Sequence, residues 1–151
     1  MNEEMIFKQI NLVRQSTSDE LKDLTEEQAD QIPEGFRNNI RWNLGHIYTV
    51  QNALLSKFGG KDVDMDPRYL QLFAPGTKPT DWKGDVPTLD ELKETLEKQP
   101  EQLKNALIGQ LDEKAAQEFN SLSSVGEILN FTLYHEGLHM GTIKAFKKSV
   151  M

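Results

Sequence analysis

The sequence predicts an all-α protein, a four-helix bundle, on three observations. Apolar residues recur every three or four positions in four long segments. Capping signals stand at the heads of several of them. No run alternates apolar and polar residues like a half-buried strand. A chain of 151 residues suffices for a single domain, 1–151, with its own core.

The first segment places Ile6, Ile10, Val13, Leu21 and Leu24 on one stripe. Thr25-Glu26-Glu27-Gln28 has the form of a capping box and predicts a short helical turn, which Pro33 and Gly35 then break. The second long helix should run from about Asn39 to Phe58. It is apolar over so much of its circumference that burial is expected, and Gly59-Gly60 supplies its stop. A long crossover from about Lys61 to Pro87 follows, rich in Pro and Gly, of a kind that often forms a functional lid. Tyr69, Leu70, Leu72, Phe73 and Trp82 should anchor it. Thr88-Leu89-Asp90-Glu91 opens the third long helix, with Leu92, Leu96, Leu103 and Leu107 inward and Pro100 kinking or dividing it. Ser124-Val125-Gly126-Glu127 opens the fourth, which runs to about Lys148. Ile128, Phe131, His135, Leu138, His139 and Thr142 are its expected inward face.

The net charge of −7 argues against a nucleic-acid partner and against an anionic membrane surface. No apolar run approaches the length of a membrane span. The acidic start Met1-Asn2-Glu3-Glu4 leads into an amphipathic pattern rather than a signal peptide, so the cytoplasm is the expected compartment. There is no cysteine, which excludes disulfides, zinc–thiolate cages and a thiol nucleophile of the protein's own.

The three histidines carry the chemistry. His135 and His139 lie one helical turn apart and share a face, and His46 lies on another buried helix. Three imidazoles can hold a divalent ion and leave one position open. Singly, each would be read as a core histidine satisfied by one hydrogen bond. His135-Glu136-x-x-His139 also fits the pattern of zinc metallopeptidases, in which Glu136 would be the general base. Those enzymes usually take their third ligand from downstream, and the twelve residues after His139 include no His, Asp or Glu. Glu136 remains a candidate base, an orienter of a ligand, or simply a solvated carboxylate. Asn43 and Tyr134 are candidates to orient a ligand or touch substrate, against plainer readings as a cap-region amide and a core aromatic. Gly137 and Gly141 suit close helix packing, within the chain or across a dimer. Asp62-Val63-Asp64-Met65-Asp66 opens like a calcium loop, but Pro67 and Phe73 stand where Gly and Glu are needed.

Arg41-Trp42-Asn43-Leu44-Gly45-His46, His135-Glu136-Gly137-Leu138-His139-Met140-Gly141 and Leu72-Phe73-Ala74-Pro75-Gly76-Thr77 together resemble the DinB / YfiT-like metalloenzyme family. The resemblance spans nearly the whole chain. It implies an up-down-down-up bundle, usually a homodimer, with zinc or nickel held by His46, His135 and His139. It also implies a thiol S-transferase, joining a small thiol of the bacillithiol type to an electrophilic small molecule. A metal-dependent hydrolase of small esters or amides, and a non-catalytic module binding metal or a small ligand, are the alternatives.

Overall fold

A computed structural model describes residues 1–151. Four long helices dominate: α1 (Glu3–Asp19), α3 (Ile40–Lys57), α5 (Leu89–Leu107) and α6 (Val125–Val150). Two shorter ones, α2 (Glu26–Asp30) and α4 (Pro67–Phe73), sit in the connections. The caps form largely as their sequences require. Thr25 and Ser124 make complete capping boxes with Gln28 and Glu127, while Thr88 caps Glu91 without the reciprocal bond. Asn39 caps α3 by accepting from Trp42 N.

The pairings of the long helices follow from contacts along their lengths. Gly109 N donates to Glu3 and Arg14 Nη1 to Leu96 O, so α1 and α5 are antiparallel. Gln51 Nε2 donates to Thr132 Oγ1, and Asn43 meets His139, so α3 and α6 are antiparallel. Arg14 meets Glu136 and Glu20 meets Lys147, so α1 and α6 are parallel. Arg41 donates to Pro87 O and Gln99 to Tyr48 O, so α3 and α5 are parallel.

Several expectations need correction. A two-stranded antiparallel hairpin, β1 (Lys114–Phe119) and β2 (Leu122–Ser124), precedes α6. Asn120 and Ser121 turn it with φ of 48° and 68°, the backbone of a primed two-residue turn. Its first strand lacks β-branched residues, and Gln117 N bonds to Phe58 O outside the hairpin. The crossover is not wholly irregular, because Asp66 and Pro67 start α4 with a cap and a proline at its first turn. Pro100 does not divide α5. On α1, Leu21 and Leu24 lie beyond the helix end, and Arg14 and Thr17 are buried instead. Leu138 is 52% exposed rather than inward; Thr132, Glu136 and Ile143 line the buried face.

The apolar core falls into two clusters. One includes Leu44, Ile47, Phe73, Leu92, Leu96 and Phe146. The other includes Ile10, Leu55, Leu103, Leu107 and Ile128. A layer of buried polar side chains accompanies them. Arg14 (3% exposed) donates through Nε and Nη2 to the two oxygens of Glu136 (1% exposed), at 2.9 and 3.1 Å. Its Nη2 also donates to Gln51, and Nη1 to Leu96 O at 2.7 Å. That carbonyl is available because Pro100, four residues on, has no N–H to offer it. Thr17 donates to Glu136 Oε1 at 2.7 Å.

Gly45 determines how α4 docks on α3. A Cβ built at position 45 would overlap the Phe73 ring. Gly45→Ala should therefore destabilise the fold by about 1–3 kcal/mol through overpacking. Thermal denaturation should show a melting point lowered by several degrees, and an unchanged value would refute this account of the contact.

Candidate metal centre

His46 comes from α3, and His135 and His139 come from successive turns of α6, which packs against α3. One nitrogen from each ring can be chosen so that all three lie within 4.8 Å of one another. Ring centroids are 5.0 Å apart for His46–His135, 4.6 Å for His46–His139 and 4.5 Å for His135–His139. The structure thus brings together the three residues singled out in the sequence, in an arrangement able to hold a metal ion.

Two rings are oriented by hydrogen bonds from Nδ1. His46 Nδ1 lies 2.7 Å from Phe73 O; a carbonyl can only accept, so the proton sits on Nδ1 and Nε2 carries a free lone pair. His139 Nδ1 lies 2.8 Å from Asn43 Oδ1. Asn43 donates through Nδ2 to Asn38 Oδ1 and Asn39 O, so its Oδ1 is the acceptor and His139 likewise presents Nε2. Of the second pair of candidates, Asn43 therefore orients the His139 ring. Trp42 stacks on His46 with centroids 4.3 Å apart, and its Nε1 donates to Thr77 in the crossover.

Burial also keeps the rings uncharged, with lone pairs able to coordinate. It pushes His46 below the ordinary histidine value against the opposing bond to Phe73 O. His135 falls to about 4, through burial and then the neighbouring His46. His139 falls to about 3, through burial and then His135 and His46. Three neutral imidazole nitrogens are a donor set that divalent transition ions accept.

Glu136 and Tyr134 flank His135 but take other partners. Both oxygens of Glu136 are engaged by Arg14 and Thr17, and no hydrogen bond joins it to a histidine. It is therefore a buried, paired carboxylate and not a solvated one. Tyr134 is 62% exposed and its ring meets Phe131, so it is neither a core aromatic nor a partner of a histidine. Nothing lies within 4 Å of a Cβ built at Gly137 or Gly141, so neither serves close packing within the chain. Missed from the sequence were the Phe73 carbonyl and the stacking of Trp42. The Asp66-Pro67 start of α4 was the readable signal for the first.

Asn43→Ala should weaken metal binding on the order of 10–100-fold, because His139 would lose the bond that fixes its tautomer. Competition against a chromophoric chelator measures this. The metal-free protein should also be acid-sensitive. Its histidines have folded values below the ordinary 6.5, so the unfolded chain takes up protons that the folded chain refuses. Stability should therefore fall as pH drops from about 6.5 towards 4. The decline should be shallower in His135→Gln/His139→Gln, by melting curves in chelator.

The sequence model described as the DinB superfamily matches residues 9–143, a span that takes in all three histidines. A solved structure described as the conserved protein of locus from Enterococcus faecalis has the same fold, with a TM-score of 0.71. Its sequence identity is 14%, over 99% of this chain and 97% of that one. No curated protein matches the chain. With its matched span and its three clustered imidazoles, the chain belongs to the DinB superfamily.

Proposed function

We propose that this protein is a zinc- or nickel-dependent thiol S-transferase, joining a low-molecular-weight thiol of the bacillithiol type to an electrophilic small molecule. The observation that carries the reading is the convergence of His46, His135 and His139, with two of the rings tied through Nδ1. A divalent ion held there would supply an open position at which a thiol becomes a thiolate. The rest is the work of the chain. Phe73 O and Asn43 hold two rings in one tautomer, burial keeps all three uncharged, and Trp42 walls His46 from water. The thiolate sulfur forms the bond to the electrophilic carbon, the displaced group leaves with its electron pair, and the thiol proton passes to solvent. The absence of cysteine means the reacting sulfur comes with the substrate.

The helix directions support an up-down-down-up four-helix bundle over residues 1–151 as one domain. Tyr134 stays in the proposal as a substrate contact, exposed on the helix that carries His135. With Leu138 and the open faces of Gly137 and Gly141 it also supports a homodimer. Chemistry that consumes a free thiol belongs in a reducing cytoplasm, and no helix is long and apolar enough to cross a membrane. Hydrolysis of esters or amides with Glu136 as base is less well supported, because Arg14 and Thr17 occupy that carboxylate.

Purified protein loaded with zinc or nickel should conjugate bacillithiol to monochlorobimane. His46→Ala or added chelator should reduce the rate to background, whereas ester turnover without thiol would favour the hydrolase. A loaded protein inert in both assays would leave a binding module.

A further inference from the structure

Arg14 is the one side chain that bonds to all three other long helices. Its planar fork meets Glu136 of α6 through two nitrogens, Gln51 of α3 through one of these, and Leu96 O of α5 through the third. Those first two helices carry the histidines. Glu136 directly follows His135 and precedes His139 by three residues, and Gln51 follows His46 by five. Rotating α6 by one residue would turn its rings about 100° away from His46. An apolar core alone tolerates such slippage better than a directional fork does.

We propose that Arg14 is a positioning residue for the histidine centre, setting the rotation of α6 and its spacing from α3 through Glu136 and Gln51. The inference rests on the reading of the histidines as a metal site. Leu96 O, freed by Pro100, fixes the guanidinium from a helix that bears no ligand. Thr17 holds Glu136 Oε1 from α1, so the carboxylate cannot swing. Lysine could match the charge of Arg14 but not the fork.

Stability and positioning can be separated. Exchanging a buried ion pair for apolar residues of similar volume is often neutral or stabilising. Arg14→Met/Glu136→Leu should therefore leave the metal-free protein folded, its melting temperature lowered only by the unpaired Leu96 O and Gln51 Oε1. It should nevertheless lower cobalt(II) affinity on the order of 10–100-fold and alter the visible cobalt bands. In the metal-free variant, nitrogen-15 spectra of the imidazoles should show His139 losing its single Nδ1-protonated form. A folded double variant with cobalt affinity within about twofold of wild type and unchanged imidazole spectra overturns the proposal. If the double variant does not fold, Arg14→Lys keeps the charge opposite Glu136 but removes the fork. Shifted His139 signals then support positioning, and unshifted ones reject it. Wild-type protein that binds no cobalt would refute the metal reading, while the metal-free imidazole spectra would still decide the role of Arg14.

Discussion

Arg14 and Glu136 are opposite charges held out of water among the long helices, and the packing around them is arranged to satisfy both. Burying an unpaired ion costs several kcal/mol, and removing one partner of such a pair costs about 3–5 kcal/mol. The carboxylate takes three hydrogen bonds and the guanidinium gives bonds to three helices, so few alternative registers keep both groups paired. Leucine-rich helices such as α5 could slide past a neighbour at small cost. The buried fork is what gives them one register.

The same constraint explains the irregularities nearby. A proline inside a helix leaves the carbonyl four residues earlier without its donor. Here that carbonyl, Leu96 O, becomes a ligand for a charged group from α1. The helix keeps its proline and the guanidinium gains an acceptor. Arg41 plays a comparable part at the other end of the chain's connections. It gathers Glu26 and Asp30 of α2 and the carbonyl of Pro87, while Glu26 also accepts from Leu89 N at the head of α5. One buried arginine thus ties the long helices to one another, and the other ties short connections to a long helix.

Much of this was readable from the residues. Helix ends marked by Asn39, Thr25 and Ser124 fall where their capping chemistry puts them, and the histidine spacing foretold the cluster. What escaped had physical reasons. Arg14 sits on the apolar stripe of α1 four residues after Ile10, and a lone cation there reads as a surface residue unless its partners in other helices are known. The hairpin has the composition of a loop and depends on two residues in positive φ. Leu138 looks inward by type, yet the rotation imposed through Glu136 turns it to solvent.

Phe73 ends α4, and its carbonyl is among the last-turn groups that a helix cannot satisfy internally. Handing that acceptor to His46 couples the crossover to the imidazole cluster in free energy as well as in space. Coupling of this kind is reciprocal. Whatever occupies the cluster must hold the crossover down by the same factor with which a docked crossover tightens the occupant. The segment is then a gauge of occupancy, its fraying a report on whether the histidines are engaged.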